Sequence, residues 1–307
     1  MNWPSVLAVG GLVAFAGCLS TNSGAIGDKD VPDGWRSTDL LFFEDQRAND
    51  SAPRLAVSGF VLDDDGSIYY ALPSPATDAT SAIVRIQLDP LGPPEPVAAG
   101  VMPSLGPSGT LYFQRNASVG PEIYARDVRS GSERLVYDMS DQIGGDRCRS
   151  LGPVTAAPDS DAIAWTLSCS SLSAHGRQTY DIYDIYLLNA SGARQFADGE
   201  TALFLSGGRL LVASTNELAL YDTTTGQHET FATFEGEVKI VRSRDDGETL
   251  FVATHRTTRF ASIVSEIVHV DASGDPVVLA KFHDYRVISF DVSPNERVLA
   301  IDLYGPS

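Results

Sequence analysis

The feature that most constrains this 307-residue chain is a hairpin unit that recurs along its length. In the clearest copy, the polar turn Asp-Asp-Gly at 245–247 separates the apolar runs 238–241 and 250–253. Asp-Gly between two β-rich runs is a strong hairpin signal, because Gly tolerates the positive φ that such turns need. The unit therefore predicts consecutive antiparallel strands.

Weaker copies of the same unit occur along the rest of the chain. The first apolar residue after each turn is Ile68, Leu111, Ile163, Leu210, Leu250 or Val298. These positions are 40 to 52 residues apart, and in the first five units a second hairpin follows the first. This period is typical of a four-stranded β-propeller blade, which buries its faces only when neighbouring blades stack against it.

The last unit, which begins near Arg286, contains only two predicted strands. Two N-terminal segments, Leu40 to Glu44 and Leu55 to Val57, could supply the missing pair. We therefore predict an all-β fold: a six-bladed β-propeller of four-stranded antiparallel blades, with the last blade shared between the N- and C-terminal segments. Closure of this kind removes an open strand edge, which would promote aggregation. Five blades with loose ends are the alternative.

Two copies of the unit, residues 158–165 and 245–251, resemble the WD40-like (PD40) repeat of TolB-type propellers. This resemblance covers roughly residues 36 to 304 and implies a six-bladed ring. The pattern Ser243-x-Asp245-x-Gly247-x-Thr249 is also similar to the Asp-box of sialidase-like propellers, with Leu250 at the usual Trp position. Neither resemblance implies a catalytic residue, because a fold alone does not carry a chemistry.

The N-terminus resembles that of a bacterial lipoprotein. An apolar run over residues 6–16 leads into Phe-Ala-Gly-Cys at 15–18, a pattern similar to a lipobox in which Cys18 is acylated after cleavage. An ordinary cleaved signal or a membrane anchor remains the alternative, because Phe15 replaces the usual Leu and no Lys or Arg precedes the run. The expected division is a signal peptide over 1–17, a flexible polar tether over 18–34 and a β-propeller domain over 35–307.

Charge restricts the partners that this chain can bind. Its 22 Lys and Arg residues against 40 Asp and Glu give a net charge of −18. Electrostatics therefore disfavours nucleic acid and anionic membrane surfaces, and we expect membrane contact only through the lipid on Cys18. The residue after Cys18 is not Asp, which favours the outer membrane or the periplasmic face of the cell envelope.

Two further cysteines are expected to form a disulfide. Folding a hairpin about the turn at 158–161 pairs residues whose numbers total about 319, and the numbers of Cys148 and Cys169 total 317. In an oxidising compartment the bond would close a loop of about 20 residues and contribute roughly 3 kcal/mol of stability. Two free thiols are the alternative, and a zinc site is not predicted because no His or second CxxC lies nearby.

Catalytic and cofactor motifs are missing from the sequence. It has no Gly-x-Ser-x-Gly elbow, His-Glu-x-x-His, P-loop or dinucleotide fingerprint, and its five histidines are scattered singly. Most carboxylates fall in turns, where Asp accepts backbone hydrogen bonds. We therefore expect no cofactor and no metal site, and the chain is interpreted as a non-enzymatic binding module for a protein or peptidoglycan-associated partner. The alternative is a carbohydrate-active hydrolase or lyase with carboxylates at the propeller axis.

Loop length indicates where such a module would bind. Loops between the second and third strands of a blade are predicted to be long at 72–81, 114–121, 168–180 and 254–265. Long loops in compact domains are often functional, and Arg and aromatic residues concentrate binding energy. The candidate partner-binding residues in two of these loops are Arg177, His255, Arg256, Arg259 and Phe260.

Overall fold

The regular structure of the described residues is β-strand, apart from one short 3-10 turn at Pro107–Gly109. The computed structural model describes residues 5–9, 12–17, 37–41, 60–63, 65–72, 81–87, 93–116, 121–139, 148–172, 178–243, 248–258, 262–271, 274–284, 286–292 and 299–304. The chain divides into two compact units, one of residues 58–61 and 68–231 and one of residues 1–57, 62–67 and 232–307.

Five four-stranded antiparallel sheets, the blades, follow the predicted repeat. Three strands precede them: β1 (Ser5–Val9), β2 (Leu12–Gly17) and β3 (Ser37–Leu41). The first blade consists of β4 (Phe60–Leu62), β5 (Ser67–Leu72), β6 (Ala82–Gln87) and β7 (Glu95–Ala99). The second consists of β8 (Val101–Gly106), β9 (Thr110–Asn116), β10 (Pro121–Asp127) and β11 (Glu133–Asp138).

The other three blades are built in the same order. The third consists of β12 (Cys148–Ala156), β13 (Ile163–Leu172), β14 (Gln178–Asn189) and β15 (Gly192–Asp198). The fourth consists of β16 (Thr201–Leu205), β17 (Arg209–Ser214), β18 (Glu217–Asp222) and β19 (His228–Thr233). The fifth consists of β20 (Glu237–Ser243), β21 (Thr249–Thr257), β22 (Ile263–Asp271) and β23 (Pro276–His283), and two strands follow it, β24 (Arg286–Val292) and β25 (Leu299–Tyr304).

Burial differs from strand to strand within a blade. The second strand is the most buried, as in β17, where the four residues Leu210 to Ala213 are all inaccessible to solvent. The fourth strand is the most exposed, as in β11 and β15. Strands covered on both faces read as continuous apolar runs rather than as alternating patterns, which explains the apolar clusters after each turn of the sequence repeat.

The core of the larger unit lies between consecutive blades. One cluster joins the second and third blades and contains Tyr112, Ile123, Ala125, Met139, Val154, Ile163, Trp165 and Leu167. At its centre, the Trp165 ring lies 5.2 Å from the ring of Tyr137 and 5.8 Å from that of Tyr186, measured between centroids. Because each blade supplies half of such a cluster, a blade is stabilised by its neighbours rather than by its own interior.

The fourth strand carries a β-bulge in four of the blades. One residue of that strand is skipped in the pairing with the third strand, and these residues are Val97, Val136, Phe196 and Leu279. A bulge twists a strand away from the flat geometry that a second molecule could pair with. The repeated bulge therefore protects the outer edge of the blade against edge-to-edge association.

A buried carboxylate links three strands of the smaller unit. Asp291 of β24 is 2% exposed, and its Oδ2 accepts a hydrogen bond of 2.9 Å from the backbone N–H of Leu62. Its Oδ1 lies 3.7 Å from Nε of Arg242 in β20. A buried charge requires such partners, because an isolated carboxylate in an apolar interior is strongly disfavoured.

The prediction of six blades is wrong in number, since the described residues form five four-stranded blades and one sheet of different composition. That sheet has five strands in the order β24-β25-β2-β1-β3 and joins the N- and C-terminal segments. Its β2 runs parallel to β25, with Leu12 opposite Leu299, so it is not an antiparallel blade. β2, in which Val13 and Phe15 favour strand structure, takes the place beside β25 that was predicted for residues 40–57.

The predicted N-terminal strands are only partly described. Residues 40 and 41 belong to β3, which pairs with β1 rather than with β25. The second predicted strand, 55–57, lies outside the described residues. Within the part of the chain that is described, no helix is long and apolar enough to cross a membrane.

Candidate binding surface

Each blade has two ends that differ in construction. Turns between the first and second strands and between the third and fourth strands lie at one end, which we call the turn end. Links between the second and third strands lie at the other, together with the chain that enters or leaves the blade; we call it the connection end. This division follows from the antiparallel order of the strands.

The turn end is fixed by main-chain hydrogen bonds. In the second blade, Oδ1 of Asp127 accepts hydrogen bonds of 2.8 Å and 2.7 Å from the backbone N–H groups of Arg129 and Ser130. Asp222 does the same in the fourth blade with Thr224 and Thr225. The N–H donors, with that of Ser130 or Thr225 foremost, lower the pKa of each Asp below its usual value. These carboxylates are therefore structural, as the sequence reading of Asp in turns predicts.

Glycine marks the connection end where the chain passes from one blade to the next. At three such crossings a methyl group on the glycine would meet the second strand of the following blade; the glycines are Gly100, Gly199 and Gly236. At Gly199 it would overlap Cγ1 of Val212 and lie 2.9 Å from the carbonyl oxygen of Ala213. The absent side chain lets the crossing run directly against the neighbouring strand.

Two of the predicted long loops prove to be largely strand. In the third blade β13 continues to Leu172 and β14 begins at Gln178, so most of 168–180 is paired. In the fifth blade β21 continues to Thr257 and β22 begins at Ile263, which pairs most of 254–265. The interpretation of these segments as loops is therefore wrong in extent, because Ser, Thr and His residues there pair across the hairpin as readily as apolar ones.

Only two of the five predicted partner-binding residues are described. His255 and Arg256 are consecutive in β21, opposite Ser265 and Val264 of β22. Consecutive strand residues point to opposite faces of a sheet, so these two side chains do not form one surface. Arg177, Arg259 and Phe260 lie outside the described residues.

Arg256 belongs to a charged cluster at the connection end of the fifth blade. Its Nη1 lies 3.1 Å from Oε2 of Glu235 and its Nη2 lies 3.4 Å from Oε1 of Glu266. The same Oε1 of Glu266 lies 2.7 Å from Nζ of Lys281 in β23. Glu266 is 12% exposed in its side chain, whereas Arg256 is 37% and Glu235 is 82% exposed. Two accessible cations therefore share one largely buried carboxylate, and we call this group the Arg256 cluster.

His255 has a structural environment on the other face of β21. Its Nε2 lies 3.0 Å from the carbonyl oxygen of Val287, which can only accept, so Nε2–H donates. Burial lowers the pKa of His255 below its usual value, although the Val287 carbonyl acts in the opposite direction. A neutral imidazole held by a neighbouring strand positions β24 and does not offer a charge to a partner.

One carboxylate that the sequence reading did not single out has an unusual environment. Asp184 of β14 lies opposite Asp198 of β15, and its Oδ1 accepts a hydrogen bond of 2.8 Å from Nε2 of Gln195. Burial, together with the charge of Asp198, raises the pKa of Asp184. Both Asp residues lie on the outer two strands of the third blade, away from the first strand. The sequence signal that could have identified it is the Tyr-Asp-Ile repeat over 180–186, which places Asp in a strand rather than in a turn.

Of the three cysteines, two are placed by the structure. Cys148 of β12 pairs directly with Cys169 of β13, as the hairpin arithmetic predicts. Cys18 lies outside the described residues, immediately after β2. Among the described side chains, no group of three or more His, Cys, Asp or Glu residues is arranged to hold a metal ion.

Comparisons with known proteins identify the fold. A putative TolB from Agrobacterium tumefaciens aligns over 100% of both chains with a TM-score of 0.61 and 12% identity. TolB from Acinetobacter baumannii aligns over 99% of this chain and 67% of its own, with a TM-score of 0.51 and 14% identity. A calcium-binding protein, regucalcin, from Agrobacterium tumefaciens covers 80% of this chain and 81% of its own at a TM-score of 0.50 and 14% identity.

Sequence comparisons add nothing to this. No family model matches the chain, and no curated protein matches it. At 12–14% identity the structural likeness carries the fold and not the activity of these proteins. The chain has the fold of a TolB-type β-propeller, built of four-stranded antiparallel blades.

Proposed function

We propose that this chain is a non-enzymatic binding module, held at the bacterial cell envelope by a lipid on Cys18 and engaging a protein or cell-wall-associated partner. The TolB-type fold supports a binding role, since binding residues concentrate on loops that a rigid scaffold positions. The lipobox-like sequence at 15–18 and the polar segment that follows support an anchored, tethered domain.

The observation that carries this proposal is the Arg256 cluster. Arg256 and Lys281 present two accessible cations on a protein whose net charge is −18. Glu235 is so exposed that its ion pair with Arg256 contributes little and can be exchanged for a carboxylate of a partner. The planar guanidinium of Arg256 suits such an exchange, because it binds carboxylates in a bidentate manner.

A carbohydrate-active hydrolase or lyase is supported less well. Such an enzyme needs two carboxylates that face a common cleft, one of them with a raised pKa. In the described part of the chain, Asp184 is the carboxylate whose pKa is raised, and it lies on the outer half of its blade beside Asp198. This position, with the hydrogen bond that Gln195 donates to Asp184, fits a structural pair between neighbouring strands better than a catalytic pair in a cleft.

Partner capture tests the binding role. We expect the mature protein to retain a defined set of envelope components after chemical cross-linking, and the double substitution Arg256→Ala with Lys281→Ala to weaken that capture by more than about 2 kcal/mol. The melting temperature should also fall, because the double substitution removes both cations that pair with Glu266, which is only 12% exposed. Capture is therefore compared at a temperature at which circular dichroism shows every variant to be folded. Arg209→Ala is the matched control, since Arg209 lies at the turn end, where its Nε donates to the carbonyl of Ser206. Equal capture by all three proteins would contradict the proposed surface.

Acylation tests the anchor separately. Metabolic labelling with palmitate should mark the wild-type protein and not a Cys18→Ser variant. Cleavage before Cys18 would also remove β1 and β2, so the mature chain should be shorter by 17 residues in intact-mass measurement. Equal labelling of both proteins would exclude the lipid anchor while leaving the binding role open to the capture experiment.

A further inference from the structure

The two cysteines of the third blade occupy directly opposed positions. In the antiparallel pairing of β12 with β13, Cys148 lies opposite Cys169. Opposed residues of antiparallel strands have Cα atoms about 4.5–5.5 Å apart. Disulfides bridge Cα atoms separated by about 4.4–6.8 Å, so this pairing gives the backbone separation that a disulfide requires.

This opposition depends on an irregularity in β12. Near the turn Thr155 pairs with Ala164, and a register continued unchanged from there would place Cys148 opposite Ser171. Instead, the pairing resumes at Leu151 with Thr166, so residues 152–154 of β12 face a single residue of β13. The two additional residues in β12 bring Cys148 into line with Cys169.

Neighbouring blades hold the irregularity from both sides. Gly152 has φ of +71°, a conformation that other residues rarely adopt, and its carbonyl oxygen accepts a hydrogen bond of 3.3 Å from Nε2 of Gln114 in the second blade. Thr155 accepts one of 3.0 Å at Oγ1 from the backbone N–H of Phe204 in the fourth blade. Since Gln114 is buried, these contacts keep the strand from sliding back to the simpler register.

We propose that Cys148 and Cys169 form a disulfide that locks the segment of β12 beyond the irregularity. In this reaction two S–H bonds break and one S–S bond forms. The two electrons and two protons pass to the disulfide of a thiol oxidoreductase, which becomes a dithiol. The bond fastens β12 where the chain enters the third blade, at its connection end. The supply of this oxidant in the cell depends on the envelope location proposed above. The pairing of Cys148 with Cys169 does not depend on it.

Peptide mapping tests the bond directly. Protein isolated from the envelope is alkylated without reduction, digested and analysed by mass spectrometry. We expect one linked peptide pair containing Cys148 and Cys169, which separates on reduction. A link from either of them to Cys18 would overturn the proposal. Alkylated Cys148 and Cys169 would overturn it if the bond also fails to form in the oxidation experiment that follows.

Oxidation in vitro separates geometry from location. Reduced protein placed in a buffer of oxidised and reduced glutathione should form the same bond, and Cys148→Ser and Cys169→Ser should each abolish it. If the bond forms in the buffer while the cellular protein carries two thiols, the envelope location fails. If it forms in neither sample, the proposed pairing fails.

Stability supplies a second readout that does not depend on mapping. Reduction of the wild type should decrease the folding equilibrium constant by about 100-fold, because the cross-link closes a loop of about 20 residues. The Cys148→Ser variant should have the stability of the reduced wild type and should not respond to reductant. A wild type whose unfolding is unchanged by reductant would contradict a bond that locks β12.

Discussion

Placing a methyl group at Gly199 is a sharp test of how one blade is fitted to the next. Gly199 connects β15 with β16 and is buried against the second strand of the fourth blade. An alanine Cβ there would overlap Cγ1 of Val212 and lie 2.9 Å from the carbonyl oxygen of Ala213. Neither group can withdraw easily, because Val212 is buried and the carbonyl belongs to a paired strand. Overpacking of this kind costs about 1–3 kcal/mol.

Unfolding in urea, followed by tryptophan fluorescence and circular dichroism, measures this cost. Val212→Ala removes the methyl group that the new Cβ would meet and itself costs about 1–3 kcal/mol through lost burial. If Val212→Ala relieves the clash that Gly199→Ala introduces, the two effects are not additive. The free energy of unfolding of the double variant should then fall by at least about 0.5 kcal/mol less than the sum of the two single losses. Coincident unfolding curves from fluorescence and circular dichroism establish that the transition is two-state.

A turn glycine provides the control. Gly207 has φ of +68° and open space around it, so Gly207→Ala costs only the backbone strain of about 1–2 kcal/mol. Its effect should add to that of Val212→Ala within about 0.3–0.5 kcal/mol. Additivity of Gly199→Ala with Val212→Ala to the same degree would refute the claim that Gly199 is required by close packing at the crossing.

Substitutions at three titratable residues test the remaining assignments. Asp184→Asn should raise the melting temperature at pH 7 but not below pH 3.8. Burial and the charge of Asp198 raise the folded-state pKa of Asp184, so folding favours its protonated form. Equal gains at both pH values would contradict this. His255→Gln should reduce the loss of stability as the pH falls below 6.5. Burial lowers the pKa of His255, so folding disfavours its protonation. A variant whose melting temperature depends on pH in the same way as that of the wild type would exclude His255 as the source of this loss. Asp291→Ala should lower the free energy of unfolding by about 3–5 kcal/mol in urea titrations. Asp291→Asn should cost less, because its side-chain oxygen can still accept a hydrogen bond from the N–H of Leu62. A larger loss for Asp291→Asn than for Asp291→Ala would refute the role of Asp291 as a buried acceptor.

The sequence predicted the blades because their turns are encoded locally. Gly66, Gly109 and Gly208 all have the positive φ that the hairpin reading required. Asp127 and Asp222 satisfy their own turns, so a short stretch of residues contains the whole signal. Features that depend on residues within one hairpin can be read directly from one sequence.

The prediction of a sixth blade was wrong because its strands come from distant parts of the sequence. Strand propensity identifies residues that can pair but not which strand they choose, and β25 has more than one N-terminal candidate. Residues 12–17, which are also part of the predicted signal peptide, occupy that place in the full chain. Pairing between distant segments depends on competition among all of the available edges, which local patterns do not rank.

The Arg256 cluster was predicted only in part, because the sequence analysis grouped Arg256 with residues that do not share its surface. Arg256 was recognised as a cation on an acidic protein, but Lys281 and Glu266 were missed because they lie on other strands. His255 was grouped with Arg256 by adjacency, although neighbours in a strand face opposite sides. Correct recognition of the extended strand at 249–257 would have separated these two residues.

The two ends of a blade differ in how the sequence specifies them, and this bears on where function can reside. At the turn end, Asp127 and Asp222 bond to main-chain groups within three residues, so that end maintains itself. At the connection end the chain crosses from one blade to the next at Gly100, Gly199 and Gly236, where close packing leaves no room for a side chain. The Arg256 cluster lies at this end, where its charges can change without disturbing a turn. A propeller can therefore acquire a partner at its connection ends while its turn ends preserve the fold.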